Sequence, residues 1–294
     1  MPTPPRLRHV EGPFLGAEAV ASGLLTARTL RGPAVRRLFR GVYVPAGVYV
    51  DHLLRVRGAA LLAPPGTVIS HRSAAAVHGC DLARTGDPVC FSVDEAERFG
   101  PVRGTLVRRT TLLPGDTVPW GGIWVTTPLR TAVDLAGTGP LPDAVADLDA
   151  LLRCARVSPE AVERALRGRR HHGVVQAREA VRLADPRAES RPESIVRCHL
   201  NLAGLWPLPQ LTIRLPDGST MRVDLGFERE RVAVEYDGAW HALREQLRVD
   251  RARMGAFRRT GWTIVHVTDQ MLASGAQAVV REVAGALTES RWAA

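Results

Sequence analysis

The stretch Met221-Arg-Val-Asp-Leu-Gly-Phe227, then Glu-Arg-Glu, then Arg231-Val-Ala-Val-Glu-Tyr-Asp-Gly-Ala-Trp-His241, decides the fold of the C-terminal part of the chain. Two apolar runs flank a charged three-residue turn, a pattern that predicts a β-hairpin. Three carboxylates, Asp224, Glu235 and Asp237, fall where strand residues are expected to be buried. Burial of an unpaired carboxylate costs free energy, so these side chains need a cationic partner or a metal ion.

The hairpin is expected to bring these carboxylates close together. Glu235 and Asp237 are two residues apart on one strand, so they point to the same face of the sheet. Asp224 lies across the hairpin, within about one register step of Glu235. Carboxylate oxygens are the ligands that Mg²⁺ and Mn²⁺ prefer, and the sequence therefore predicts a divalent metal site here.

Length and composition suit a multi-domain protein that binds a polyanion. The 294 residues are enough for two or three domains, and 45% hydrophobic with 23% charged residues is typical of a soluble globular protein. The net charge of +9 favours nucleic acid as a partner. The chain contains no lysine, so all its Lys and Arg positions are arginine, and a compositional bias is the alternative source of part of this charge.

The cysteines and the apolar runs indicate the compartment. Cys80, Cys90, Cys154 and Cys198 are scattered without a CxxC pair. This spacing predicts neither a zinc site nor a disulfide framework, and it agrees with a cytoplasmic location. No apolar run approaches the roughly 20 residues of a membrane span, so we expect no membrane partner.

Residues 1–50 are predicted to form a winged helix-turn-helix. Residues 14–25 have helical spacing, Thr26 is placed to cap a second short helix, and residues 38–44 predict a β-ribbon that turns at Gly41. In such a module a helix enters the major groove and the wing contacts the backbone. The candidate DNA contacts are Arg36, Arg37 and Arg40, and a solvated basic face is the alternative.

Residues 51–185 alternate helical and strand patterns and predict a middle α/β domain. Ser70 is expected to cap a helix from His71 to His78. These two histidines are seven residues apart, whereas a metal-binding pair prefers a spacing of about four, so we predict packing roles for both. The stretch at 185–190 is the clearest linker, and residues 186–294 are predicted to form the third domain.

Residues 189–288 resemble the PD-(D/E)XK nuclease superfamily, most closely the branch of the very-short-patch repair (Vsr) endonucleases. The resemblance rests on Glu193, Asp224, Glu235-Tyr-Asp-Gly238, Trp240-His241, Asp250-Arg-Ala-Arg253 and Gly261-Trp-Thr-Ile-Val-His-Val267. It implies a restriction-endonuclease-like α/β domain with a mixed sheet. It also implies cleavage of DNA with the help of a divalent metal ion.

The resemblance assigns roles to individual residues. It implies that Asp224 is the shared metal ligand, Glu235 the acidic residue of the motif, and Glu193 a ligand or orienting group on a helix. The family's lysine would fall on Asp237, and this chain has no lysine to replace it. In the repair-endonuclease branch a histidine after an aromatic residue does the acid–base work, which makes His241 the candidate general base.

The helix predicted after this motif carries candidate phosphate contacts. Arg244, Arg248 and Arg251 are spaced three or four residues apart and so lie on roughly one helical face. Arginines on such a face hold a phosphate backbone through charge-assisted hydrogen bonds. Ion pairs with acidic residues of the same segment are the alternative.

The first 185 residues resemble the AbiEi-type antitoxins of type IV toxin–antitoxin systems. The resemblance rests on Arg37-Leu-Phe-Arg-Gly-Val-Tyr-Val44, Ser70-His-Arg-Ser-Ala-Ala75 and Thr127-Pro-Leu-Arg-Thr-Ala-Val-Asp-Leu-Ala136. It implies an N-terminal winged helix that binds promoter DNA. It also implies a following domain that neutralises a toxin, which adds a protein to the expected partners.

Two functions follow from these observations. The first is a metal-dependent DNA endonuclease with an N-terminal DNA-binding module, in phage defence, repair or a toxin–antitoxin system. The alternative is a non-catalytic DNA-binding regulator or antitoxin that keeps a nuclease-derived domain. Asp237 in place of lysine favours the alternative, whereas three neighbouring carboxylates, which repel one another without a cation, favour the metal-dependent enzyme.

Overall fold

The computed structural model describes residues 10, 12–94, 96–97, 99–100, 102–170, 172–215, 218–238 and 260–293. The chain divides into two compact units, Met1–Leu135 with Cys154–Val174, and Ala136–Arg153 with Val175–Ala294. Both units contain helices and β-sheet, so the predicted α/β multi-domain class is confirmed. Domain boundaries near residues 50 and 185 stay a prediction.

Helices and strands alternate along most of the chain. The first are β1 Phe14–Leu15, α1 Gly16–Ala21, α2 Ala27–Leu30, β2 Val35–Phe39, β3 Val42–Pro45, α3 His52–Ala60, β4 Val68–Ile69, α4 His71–Val77, β5 Val89–Val93, β6 Thr105–Arg109, β7 Thr117–Trp120, β8 Ile123–Thr126 and α5 Pro128–Ala136. They continue with α6 Leu141–Ala155, α7 Pro159–Leu166, α8 Val174–Leu183, α9 Arg191–Leu202, β9 Leu208–Arg214, β10 Thr220–Phe227, β11 Val232–Asp237, β12 Thr263–Thr268, α10 Asp269–Ala273 and α11 Ala276–Ala293.

None of the helices α1 to α11, within the described residues, has the length and apolar character needed to cross a membrane.

The N-terminal module is a three-stranded antiparallel sheet, in the order β1-β3-β2, with two short helices. The predicted Thr26 cap is present, because its hydroxyl accepts a hydrogen bond from the Thr29 amide at 3.1 Å. The predicted ribbon is also present and turns at Gly41, whose φ of 81° suits glycine. The helix predicted over 14–25 is too long, because Phe14 pairs with Tyr43 as a strand and stacks on its ring.

The larger sheet of the first unit has the order β6-β5-β4-β8-β7. The pairs β5–β6 and β4–β8 are parallel, and the pairs β4–β5 and β7–β8 are antiparallel. Strand β7 was not predicted from the sequence. Phe91 and Ile69 at the centre of the sheet are fully buried and pack with Val56 of α3 and with Phe39 of the ribbon.

The two histidines of α4 pack as predicted, but the expected cap differs. His78 Nε2 lies 2.7 Å from the carbonyl oxygen of Thr126, and His71 is buried. Ser70 makes no cap hydrogen bond, and its hydroxyl instead lies 2.9 Å from His71 Nδ1. Burial, together with the nearby Arg108 and Arg130, lowers the pKa of His71 to about 3, so the imidazole is neutral at physiological pH.

A buried arginine organises the polar interior of the first unit. Arg130 is 4% exposed and donates hydrogen bonds to Asp134 at 2.8 Å, to Asp116 at 2.5 Å and to Thr110 at 3.0 Å. Asp116 also pairs with Arg169 at 3.0 Å. Burial raises the pKa of the Asp116 carboxyl, but hydrogen bonds from Arg169, from the Leu113 amide and from Arg130 outweigh it and lower that pKa overall.

The first unit contains a disulfide that the sequence pattern did not predict. Cys80 and Cys154, 74 residues apart in the chain, are bonded, with Cα atoms 5.7 Å apart. The spacing of the cysteines in the sequence gave no sign of this bond. The two cysteines meet because the fold brings the end of α4 beside the end of α6. The remaining two cysteines, Cys90 and Cys198, are free and buried.

The sheet of the second unit has the order β12-β11-β10-β9. The pairs β9–β10 and β10–β11 are antiparallel and the pair β11–β12 is parallel, so the sheet is mixed. Leu200 of α9 and Val283 of α11 are buried against Leu225 and Val234 of the central strands. The helical residues after β12 are divided into α10 and α11 at Gly275, whose φ is 99°.

Replacing Arg130 with methionine is expected to lower the free energy of unfolding by about 3–5 kcal/mol, because the partners of a buried charge are left unpaired. Urea denaturation measures this loss. The control is Glu179→Gln, which breaks the exposed Arg182–Glu179 pair and should cost at most about 0.5 kcal/mol, because water screens exposed pairs. Equal effects of the two substitutions would contradict the structural role of Arg130.

Candidate functional site

Asp224 lies where the β10–β11 ladder ends. Leu225 pairs with Val234 in the ladder, and Asp224 is the preceding residue of β10. Its Oδ2 atom accepts a hydrogen bond from the Tyr236 amide at 2.9 Å, so a side-chain carboxylate takes the place of a main-chain acceptor. The predicted hairpin thus brings Asp224 beside the segment that carries Glu235 and Asp237.

The surroundings of Asp224 are acidic. Burial raises the pKa of this carboxyl, and the neighbouring carboxylates of Glu193, Glu189 and Asp237 raise it further. The hydrogen bond from the Tyr236 amide lowers it in part. Negative charge is therefore concentrated at this edge of the sheet and disfavours ionisation of Asp224, the situation that a bound cation relieves.

Glu193 is held at the start of α9. Its amide donates to the Ser190 hydroxyl at 3.3 Å, which gives one half of a capping box. Its Oε2 atom accepts from the Glu189 amide at 3.0 Å and from Gln210 Nε2 at 2.9 Å. The side chain is 8% exposed, so these two donors fix its orientation. Its role as a metal ligand stays a prediction.

Asp237 pairs with a histidine that the sequence pattern did not single out. The carboxylate Oδ2 lies 2.8 Å from His266 Nδ1, and both side chains are partly exposed, at 46% and 39%. On the parallel strand β12, His266 stands opposite Glu235. The alternation of Val265 and Val267 around His266 was the signal that could have found it, because it places His266 on the other face from the buried valines.

Two further contacts border this acidic edge. The Tyr236 hydroxyl donates to Asp269, and burial together with Asp269 raises the pKa of Tyr236 to about 12. Arg222 Nη2 donates to Glu189 at 2.8 Å, so one of the carboxylates near Asp224 already has a cationic partner.

Some of the residues predicted to bind or act with a divalent metal ion are described by the structure, and others are not. Among the described residues, no three His, Cys, Asp or Glu side chains form a group that could hold a metal ion. Asp224 and Glu235 supply oxygen donors of suitable type, whereas the Glu193 carboxylate already accepts two hydrogen bonds. His241 and the arginines at 244, 248 and 251 lie outside the described residues, so Mg²⁺ or Mn²⁺ binding stays a prediction.

The basic ribbon of the first unit is the other predicted site. Arg37 and Arg40 are exposed, and neither forms an ion pair with a described residue. Arg36 is also exposed, and its guanidinium donates to the Val48 carbonyl at 2.7 Å, so part of its hydrogen-bonding capacity is used within the module. Phe39 and Val42 on the other side of the ribbon are buried. The ribbon therefore combines an apolar base with a basic outer face.

Comparisons with known proteins identify relatives of this chain. Residues 66–183 match the AbiEi antitoxin C-terminal domain, which confirms that part of the predicted resemblance. Two uncharacterised proteins of Mycobacterium tuberculosis, MT2308 of strain CDC 1551 / Oshkosh and Rv2248 of strain ATCC 25618 / H37Rv, are each 35% identical over 237 residues. The match covers 79% of this chain and 84% of each relative.

A solved structure is also similar. The crystal structure of the RV2827C protein from Mycobacterium tuberculosis gives a TM-score of 0.40 at 17% identity, and the match covers 70% of this chain and 84% of that one.

The acidic surroundings of Asp224 predict a pH-dependent effect of Asp224→Asn. A folded-state pKa above the usual 3.8 gives stability that is present at low pH and is lost as pH rises through the folded-state pKa. Asparagine does not titrate, so the variant should gain stability relative to wild type between about pH 3.5 and 7. Urea denaturation at both pH values measures the difference.

Glu179→Gln provides a control of opposite sign. The hydrogen bond from Arg182 lowers the pKa of Glu179, so wild type should gain stability relative to this variant as pH rises. A difference between wild type and Asp224→Asn that is the same at both pH values would show that the Asp224 carboxyl is not perturbed.

Proposed function

We propose a DNA-binding regulatory role of the AbiEi antitoxin type for this chain, which belongs to the same family as the mycobacterial proteins Rv2248 and MT2308. The observation that carries the proposal is the match of residues 66–183 to the AbiEi antitoxin C-terminal domain. The exposed basic ribbon of residues 35–45, which precedes that region in the chain, supports it. The net charge of +9 agrees with a polyanionic partner.

The N-terminal module is proposed to act as a winged helix. Support comes from the Thr26-capped helix and from the ribbon that turns at Gly41. In this arrangement Arg37 and Arg40 contact phosphate groups from the wing, because their side chains are exposed while the ribbon is anchored through Phe39. Arg36 contributes with the part of its guanidinium that the Val48 carbonyl leaves available.

A protein partner is proposed for the AbiEi-like region, in keeping with an antitoxin that neutralises a toxin. Besides Val175, which is 77% exposed, five large apolar side chains of this region are exposed at 36–48%. They are Leu106, Leu113, Val118, Trp124 and Leu129. Tryptophan is enriched among the residues that contribute most to protein–protein binding, so Trp124 is the side chain that most favours a protein partner.

The double variant Arg37→Ala/Arg40→Ala tests DNA binding by the ribbon. It removes two proposed phosphate contacts, so the slope of log K against log salt concentration should become shallower by about 2. Fluorescence anisotropy on a fragment with the promoter of the chain's own gene, and on a random fragment, measures the affinity. The loss should be similar for both fragments, because phosphate contacts carry no sequence information.

Arg103→Ala is the matched control, because Arg103 is an exposed arginine of the same unit outside the ribbon. It should change the salt slope little. If the double variant keeps the wild-type affinity and slope, the ribbon does not contact DNA.

A metal-dependent DNA endonuclease is the second candidate function. The observation that favours it is the acidic edge around Asp224, where burial and three neighbouring carboxylates raise the pKa of the Asp224 carboxyl. We infer a restriction-endonuclease-like domain from the helix α9, the hairpin and the parallel strand pair β11–β12 that follow one another there. This inference agrees with the order of residues on which the sequence resemblance rests.

In this second candidate function, each predicted site residue would have its own role in phosphodiester hydrolysis. Asp224 and Glu235 would hold Mg²⁺ or Mn²⁺, which supplies a water molecule of lowered pKa and neutralises charge on the phosphate. Glu193 would orient this edge through its two hydrogen bonds, and His241 would accept the proton from the attacking water. Asp237 would position His266 near the phosphate, and Arg244, Arg248 and Arg251 would bind the DNA backbone.

Incubation with supercoiled, mismatched and single-stranded DNA, in Mg²⁺, Mn²⁺ or chelator, separates the two functions. If the domain is an active nuclease, wild type cleaves only with metal, and Asp224→Ala loses at least about a hundredfold in rate because a metal ligand is gone. Salt-sensitive binding without cleavage, unchanged by Asp224→Ala, would instead leave the regulator as the function of the chain.

A further inference from the structure

Residues 154–174, which we call the strap, belong to the same compact unit as residues 1–135 although 18 residues of the other unit separate them in the chain. The strap contains α7 and is attached at three places. It begins at the disulfide with Cys80, and Val162 and Leu166 of α7 are buried at 0% and 1% exposure. Near its end, Arg169 pairs with Asp116 at 3.0 Å.

The strap leaves α6 through a left-handed residue. Arg156, two residues after Cys154, has a φ of 53° and directly follows Ala155, the last residue of α6. Helices commonly end with a residue in this conformation. The disulfide at Cys154 is the covalent restraint nearest to this turn.

The strap presents a basic surface. Arg156, Arg164, Arg167 and Arg170 are all exposed, in contrast to the buried α7 residues that anchor the segment. Glu160 and Glu163 are exposed on the same segment, so arginine exceeds acidic residues without being the only charge there. Of the four arginines, Arg156 lies among the first residues of the strap, closest to the disulfide.

The two bonded sulfurs differ in access. Cys80 is 2% exposed, whereas Cys154 is an exposed residue at the end of α6. A small thiolate in solution thus reaches Cys154 Sγ without unfolding of the unit. The other cysteines are unsuited to exchange, because burial raises the pKa of Cys90 and raises that of Cys198 to about 11.

We propose that the Cys80–Cys154 bond is a reversible redox switch that fixes the basic strap when oxidised and loosens its first residues when reduced. Exposure of one sulfur allows exchange, and the position of the bond at the first residue of the strap gives exchange a structural consequence. The buried α7 residues and the Arg169–Asp116 pair keep the remainder attached in both states.

The co-reactants of the exchange are a low-molecular-weight thiol, which is the reductant, and its disulfide, which is the oxidant. In reduction, an external thiolate attacks Cys154 Sγ, the Cys80–Cys154 bond breaks, and Cys80 leaves as a thiolate that takes up a proton. A second external thiol then attacks the mixed disulfide and releases Cys154 as a thiol and the external disulfide. In oxidation the same steps run in reverse, so two protein thiols and one external disulfide give the protein disulfide and two external thiols.

Limited trypsin digestion of the full chain tests the switch, because trypsin cleaves after arginine and the strap carries exposed arginines. In a Cys90→Ser/Cys198→Ser variant, Cys80 and Cys154 are the only remaining cysteines, so they alone can react. After equilibration in glutathione buffers of graded ratio, cysteines are trapped by alkylation and cleavage after Arg156 is followed by mass spectrometry. Cleavage there should be about tenfold faster in the reduced than in the oxidised protein, because local opening no longer has to break a covalent restraint.

Cys154→Ser should cleave at the reduced rate whatever the buffer. Arg169→Ala is the matched control, since it weakens the other end of the strap and should keep the redox dependence after Arg156. Two results would overturn the proposal: a pair that does not interconvert across the glutathione series, or equal cleavage of oxidised, reduced and Cys154→Ser protein. Circular dichroism of each variant verifies that the fold is retained, and the reduced wild type gives the same comparison without any substitution of the pair.

Discussion

The structure depends on how a chain without lysine places arginine in its interior. Arg130 in the first unit and Arg197 in the second are 4% and 3% exposed, and each pairs with an aspartate, Asp116 at 2.5 Å and Asp149 at 2.6 Å. Carboxylate and carbonyl oxygens that accept from a buried guanidinium offset the cost of its burial, and in Arg197 they pair with both Nη atoms. These pairs therefore tie distant segments of sequence together, since each joins residues at least 14 positions apart.

Carboxylates that lie beside arginine and carboxylates that lie beside other carboxylates are found in different parts of this protein. Where an aspartate meets a buried arginine, as Asp116 does, the interaction is structural. At the acidic edge of the second unit, Asp224 lies near other carboxylates instead, and burial together with their repulsion raises its pKa. The contrast explains why this edge, and not the equally polar interior around Arg130, is the place where a cation is expected to act.

Much of the secondary structure was predictable, because helices and strands here follow local patterns. Helix α5, Pro128–Ala136, and helix α6, Leu141–Ala155, follow from the local sequence, since each combines a proline near its start with a regular apolar stripe. The errors occur where tertiary contacts outweigh local preference. Phe14 becomes a strand residue because Tyr43 offers a partner, and Ser70 bonds to His71 instead of capping its helix.

The sequence by itself determined the α/β class and the AbiEi-like region, and it predicted Glu193 and Asp237 near Asp224, because these follow from residue type and spacing. Glu189, which also acts on Asp224, was found only in the folded chain. Tertiary structure alone decided which side chains meet. Only the folded chain pairs Asp237 with His266, occupies Glu193 with Gln210, and bonds Cys80 to Cys154. Periodicity specifies which face a residue occupies, whereas contacts between residues 17 to 74 positions apart depend on how the elements pack.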